Sequence, residues 1–196
     1  MMDENWEVEC FGFDYGSKHS TYELPAAKRI ASYYGVPFSI IDLTEIGRHL
    51  SSNLLKSGGP IPEGHYKAEN MKLTVVPCRN IIFLSILAGI AESKKADIIA
   101  IGIHQGDHAI YPDCRLEFFR QMDRAIRLGT DGKVSLYAPF LSTDKTGIVK
   151  WGLQHGVPYR LTRTCYKDQP EPCGKCGSCV ERLEAFEKNG AKDKTD

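Results

Sequence analysis

Ala96-Asp97-Ile98-Ile99-Ala100-Ile101-Gly102 is apolar without alternation, the pattern of a short strand covered on both faces of a parallel sheet. Upstream of it, Arg79 to Lys95 is apolar nearly all round in its first turns and predicts a buried helix. Downstream, Arg115 to Leu128 reads as a helix closed by Gly129, and Lys133 to Ala138 as a strand. Thr143-Asp144 then caps a helix that runs to His155, before Gly156 and Pro158. The same alternation extends toward the N-terminus. Trp6 to Phe13 suits a strand, and Ser20-Thr21-Tyr22-Glu23 has capping-box spacing ahead of a helix over Ala26 to Tyr34 that Gly35 stops. Pro37 to Asp42 is a second strand, Leu43 to Leu50 a short helix, and Ser51 to Met71 a long polar loop punctuated by Gly58-Gly59-Pro60. This order predicts an α/β fold, a doubly wound, mostly parallel sheet that binds ligands outside the carboxyl ends of its strands.

The chain has 196 residues, 42% of them hydrophobic, enough for one main core. Its 25 basic and 25 acidic side chains cancel, so no overall field draws it to nucleic acid or an anionic membrane. The longest apolar run, Ile81 to Ala91, is too short to span a bilayer, and Met1 to Glu7 lacks the basic start of a secretory signal. A cytoplasmic location is expected. The odd number of cysteines, 7, argues against a secreted disulfide framework. Cys10, Cys78 and Cys114 read as small buried or half-buried side chains. We divide the chain into an α/β domain (1–163), a cysteine-bearing segment (164–187) and a frayed, solvated tail (188–196).

Cys165, Cys173, Cys176 and Cys179 lie within fifteen residues. Four thiolates at this spacing, with Gly174 and Gly177 easing the turns, suit a closed structural Zn2+ site; an iron–sulfur cluster is the chemical competitor. Other stretches point to a pocket. Phe13-Asp14-Tyr15-Gly16 stands at the rim of the first strand. Arg79, beside Asn80, has the planar fork of a phosphate or carboxylate clamp, or of a structural ion-pair partner. The stretch from His104 through Asp107, Tyr111 and Asp113 to Arg115 carries more polar equipment than a connector needs. His104, Asp107 and His108 could in principle ligate a metal, although a pocket loop is the better reading. Lys145 sits in the first turn of a helix, where its charge opposes the dipole, which hints at an anion nearby.

Taken in order, Phe13-Asp14-Tyr15-Gly16, Val76-Pro77-Cys78-Arg79-Asn80, Tyr111-Pro112-Asp113-Cys114-Arg115, Thr143-Asp144-Lys145 and the terminal cysteines resemble the 7-cyano-7-deazaguanine synthase (QueC) family of PP-loop ATP-dependent ligases. The resemblance implies an adenine nucleotide alpha hydrolase-like fold. It also implies conversion of 7-carboxy-7-deazaguanine and ammonia to the nitrile at the expense of ATP with Mg2+, in queuosine or related deazaguanine biosynthesis. Carried over by position, Phe13 to Gly16 line the nucleotide side. Lys145 and Arg79 act on phosphates or the substrate carboxylate, with Lys145 also in contact with ATP. Arg79, Asn80, His104, Asp107, Tyr111, Asp113 and Arg115 hold the deazaguanine. One zinc per chain pins the C-terminal segment, and family members are commonly homodimers.

The family's first strand and Ser-Gly-Gly-x-Asp-Ser loop, which cradle the ATP pyrophosphate, have no counterpart in these residues; Ser57-Gly58-Gly59 is followed by Pro60 and Ile61. We therefore expect weak or no ligase activity from this chain alone, and an exposed sheet edge prone to association. A start codon placed too late is the favoured origin; a separate chain carrying the loop and a non-catalytic, zinc-stapled binding subunit are the others. A tRNA-directed PP-loop enzyme is disfavoured by the neutral charge.

Overall fold

The computed structural model describes residues 6–193. β1 (Cys10–Asp14), α1 (Ser20–Tyr33) and β2 (Phe38–Asp42) form one β–α–β unit, with β1 and β2 parallel and Gly12 opposite Ile40. A short helix, α2 (Thr44–Gly47), follows, and after the long loop comes α3 (Arg79–Lys94). β3 (Ile98–Ala100), α4 (Leu116–Gly129) and β4 (Ser135–Tyr137) form a second unit with Ile99 opposite Leu136. α5 (Lys145–Gln154) and α6 (Gly177–Lys188) complete the chain. The α/β alternation and parallel pairing are present, as two two-stranded sheets. Among the described residues no strand joins β1 to β3, so each sheet keeps free edges.

α3 serves both sheets. Its Phe83 stacks on Phe13 of β1 with ring centroids 4.0 Å apart, while Leu84 and Ala91 pack with Ile99 and Leu136 of the other pair. From α4, the adjacent Phe118 and Phe119, then Met122 and Ile126 at steps of three to four residues, close over the same cluster. Ile81 nevertheless stays 40% exposed. A helix expected to be covered all round keeps an open flank, because two strands on either side give it little sheet to lie on. By length and apolarity Glu69–Lys94 would suffice to cross a membrane. Its backbone turns out of helix before α3, where Cys78 takes a φ of 54°, and α3 packs into the core.

Three local expectations are corrected. The capping box does not form: the chain turns tightly at Gly16 (φ 76°), so the Ser20 hydroxyl donates to the Ser17 carbonyl and Glu23 lies 3.1 Å from the His19 ring. Cys78 is exposed rather than buried, since its left-handed backbone at the start of α3 turns it outward. The described part of the tail is docked: Arg182 bonds Asp193 at 2.6 Å with both side chains nearly buried, and Ala191 packs beside Phe186 and Val149. The end of that tail, 194–196, lies outside the described residues.

The long loop is pinned to the rim after β1. Lys18 Nζ donates to the carbonyls of Asn53, Gly58 and Gly59, and burial lowers its pKa. Leu54 and Leu55 insert beside Tyr15 in a cluster that also contains Cys165, Cys176 and Cys179. The cysteine segment thus shares this core. α2 fits against the same rim only because Gly47 lacks a side chain: a Cβ there would stand 2.0 Å from the Tyr15 carbonyl oxygen. Gly47→Ala is expected to cost about 3 kcal/mol, read as a lowered denaturant midpoint, because backbone rather than a flexible side chain must move.

Candidate active site

The carboxyl ends of β3 and β4 release the two loops that build the cleft, as parallel strand topology requires. The Gln105 N–H donates to the Thr143 carbonyl, which ties the loop bearing His104 and Asp107 to the start of α5. Asp144 caps α5 by accepting from the Gly147 N–H at 2.8 Å, and this cap sets Lys145 facing inward. Asp107, Tyr111 and Lys145 converge on a small open cleft of about 70 Å³. Tyr66 of the long loop, Tyr166 of the cysteine segment and Glu181 of α6 line it too, none of which the sequence reading singled out.

Lys145 Nζ lies 2.5 Å from Glu181 Oε2, and Glu181 is 7% exposed. The anion that the position of Lys145 announced is supplied here by the protein itself. His104 is buried beneath this pair. Its Nδ1 accepts from the Gly106 N–H at 3.1 Å, so in the neutral ring the proton sits on Nε2, 3.3 Å from Asp107 Oδ2. Burial pushes the His104 pKa down, and the Lys145 ammonium adds to this against Asp107 and Glu181.

A histidine whose folded-state pKa is depressed contributes stability above its ordinary pKa of about 6.5 and loses it as pH falls below that value. Asp107, Lys145, Glu181 and His108 face the ring. The melting temperature is expected to fall from pH 6.5 toward 5, and His104→Gln to flatten that part of the profile.

The remaining site candidates hold the cleft's walls. Asn80 donates through its backbone N–H to Asp113 Oδ2 and through Nδ2 to the Asp113 carbonyl, joining α3 to the His104–Arg115 loop. The Arg115 Nε–H donates to the His108 carbonyl at 2.8 Å. Phe13 and Tyr15 pack into the core, and Asp14 accepts from the Gly16 N–H. This turn lies outside the cleft and connects to it through Arg79. Burial opposes the charge of Arg79, but Tyr15, Tyr166 and Asp113 outweigh it and raise its pKa further. Burial likewise pushes the Tyr166 phenol well above its ordinary range, with Tyr111 and Asp107 adding to the effect. Tyr166 bonds Tyr111, whose hydroxyl also lies 2.7 Å from Thr74 Oγ1. Cys114, pushed up to about 12 by burial, is no nucleophile.

Cys165, Cys173, Cys176 and Cys179 place their sulfurs within 4.8 Å of one another, with Cys173 and Cys179 4.0 Å apart and no disulfide among them. Four thiolates around one ion at about 2.3 Å require such separations, so the cluster could hold a metal ion. Backbone amides already point at the sulfurs: Lys167 and Cys173 at Cys165, Lys175 and Cys176 at Cys173. Such N–H donors stabilise thiolates. The Cys165 thiol is driven strongly down by hydrogen bonds from Cys176 and Cys179. Arg163 binds the carbonyls of Lys167, Gln169 and Pro170 and so fixes the loop around the sulfurs.

The centre is welded to the cleft. Gly64 donates to the Lys175 carbonyl, Lys167 pairs with Glu63, and Gly177 lies so close to Met71 and Tyr66 that a Cβ there would meet Sδ at 2.8 Å. His104, Asp107 and Glu181 also bring three ligand atoms within 4.8 Å. There the Lys145 ammonium supplies the positive charge, and Nε2 of neutral His104 carries a proton instead of a free lone pair.

A family model described as queuosine biosynthesis protein QueC matches residues 1–190. The chain is 50% identical over 187 residues to a 7-cyano-7-deazaguanine synthase of Porphyromonas gingivalis, covering 95% of this chain and 85% of the relative. It is 48% identical over 191 residues to the synthase of Rhizobium rhizogenes, with 96% and 80% covered. With 7-cyano-7-deazaguanine synthase 2 of Colwellia psychrerythraea it shares 45% over 193 residues, with 98% and 88% covered.

Proposed function

We infer function from membership: the chain belongs to the QueC family of queuosine biosynthesis proteins. It is an enzyme that makes 7-cyano-7-deazaguanine from 7-carboxy-7-deazaguanine and ammonia, driven by ATP. The carboxylate is a poor electrophile, so it is first adenylated with loss of pyrophosphate. Ammonia then displaces AMP, which carries away one carboxylate oxygen. The resulting amide is adenylated in turn, and loss of a second AMP and of its protons leaves the nitrile. Two ATP thus take up the two waters that dehydration of an ammonium carboxylate would release.

The observation that carries this reading is the convergence of Asp107, Tyr111 and Lys145 in one cleft, with the Arg79 guanidinium hydrogen-bonded to Tyr15 and attracted by Asp113. Such a site offers hydrogen-bond donors and acceptors to the polar edge of a flat heterocycle, and Arg79 supplies positive charge where negative charge develops. Asp107 and Tyr111 contact the deazaguanine, while His104, Asn80, Asp113 and Arg115 shape the loop that presents them. Arg79 and the Phe13–Gly16 rim face the nucleotide, which enters with Mg2+. The four cysteines hold one structural Zn2+. The enzyme works in the cytoplasm as a homodimer and does not bind nucleic acid directly.

One assay tests this reading. The chain is incubated with 7-carboxy-7-deazaguanine, MgATP and ammonia, with and without an added segment carrying a Ser-Gly-Gly-x-Asp-Ser loop, and nitrile is followed by mass spectrometry. Nitrile in either arm supports the synthase reading; no nitrile in either arm overturns it.

A further inference from the structure

The ion pair between Lys145 and Glu181 joins a helix that starts after β4 to the helix that starts in the cysteine segment, and it forms part of the cleft wall. Side-chain exposure is 21% for Lys145 and 9% for Glu181. Burying such a pair is a poor way to gain stability, because desolvation offsets the attraction. Among the described residues the Glu181 carboxylate accepts a hydrogen bond from Lys145 alone, which leaves acceptor capacity facing the cleft. The wall therefore presents a donor beside two acceptors, in a plane fixed by the carboxylate.

We propose that Lys145 and Glu181 read the guanine edge of the substrate, Lys145 donating to O6 while the Glu181 carboxylate accepts from N1–H and the 2-amino group. The proposal rests on the reading that the substrate is a deazaguanine, whose edge runs acceptor, donor, donor. An adenine-type edge would set its amino group against the ammonium and its N1 lone pair against the carboxylate, so the same pair rejects it. In the free protein the two side chains satisfy each other; the ligand edge replaces each partner with a complementary group. Asp107, steadied by the His104 Nε2–H, closes the cleft from the opposite loop and offers a further acceptor.

The test is calorimetric titration of the full, metal-loaded chain with 7-carboxy-7-deazaguanine and with its counterpart lacking the 2-amino group. The parent protein is expected to bind the first at least about tenfold more tightly, the value of a hydrogen bond to a charged group. In Glu181→Gln one acceptor becomes a donor, so binding of the deazaguanine weakens by a similar factor and the two ligands come within about threefold of each other. Circular dichroism and metal content check the fold of this variant. Should it not fold, Lys145→Met provides the second arm, read as loss of discrimination between the deazaguanine and its analogue lacking O6.

A merely structural ion pair would lower the stability of Glu181→Gln and leave the ligand ratio unchanged; that result overturns the proposal. Equal binding of both ligands by the parent protein also overturns it and leaves the synthase reading standing. Absence of binding to 7-carboxy-7-deazaguanine by the parent protein overturns both.

Discussion

Cys176→Ser is expected to abolish metal binding and, with it, the folded cleft. Cys176 is fully buried, and Gly177, the first residue of α6, stands directly behind it. Serine offers a hydroxyl of much higher pKa than a thiol and does not replace a thiolate ligand. Metal content should fall from about one per chain to near zero, and the free energy a structural zinc contributes is on the order of 10 kcal/mol. The sulfurs themselves form part of the core that contains Tyr15, Leu54 and Val76, so losing the centre loosens that core as well. Because α6 carries Glu181 two residues beyond Cys179, and Gly177 supports Tyr66 and Met71, ligand binding should disappear with the metal. The measurements are metal analysis, limited proteolysis across residues 164–193, and titration with 7-carboxy-7-deazaguanine. Full metal content together with an unchanged melting profile would remove the four-cysteine centre from this account. A chelator applied to the parent protein should reproduce the variant, and added zinc should restore it.

The architecture was legible where the determining pattern is local. The uninterrupted apolar run at Ile98–Ala100, the Asp144 cap and the glycine after α1 each act within a few residues, and all appear in the structure. The cysteine cluster was legible for the same reason, because its ligands are close in sequence. What local patterns miss is the choice between partners. Ser20 and Glu23 have the spacing of a reciprocal cap, yet a tight turn just before them brings other partners nearer. Lys145 implied an anion, but Glu181 is 36 residues away on another helix, beyond the reach of any local spacing. Asp193 belongs to a stretch whose composition suggests solvation, while its partner Arg182 lies 11 residues earlier, in the middle of α6. Composition reports how polar a residue is; only packing reports what it faces.

Arg79→Met should lower the rate of nitrile formation by about a hundredfold or more while leaving the metal centre intact. Methionine preserves much of the side chain's bulk but removes the guanidinium that is hydrogen-bonded to Tyr15 and attracted by Asp113. Two consequences follow from that geometry. Asp113 keeps its hydrogen bonds from Asn80, so the loop should hold and substrate affinity should change less than turnover. Charge felt mainly in the transition state lowers kcat when removed, whereas a purely structural arginine would lower stability and raise KM through a loosened loop. Arg79→Lys separates these further: it restores the charge without the planar fork, so partial recovery is expected if charge is what matters. An Arg79→Met protein with parental kcat, in whichever assembly supports nitrile formation, would reassign this arginine to the scaffold and leave Lys145 as the principal cation of the cleft.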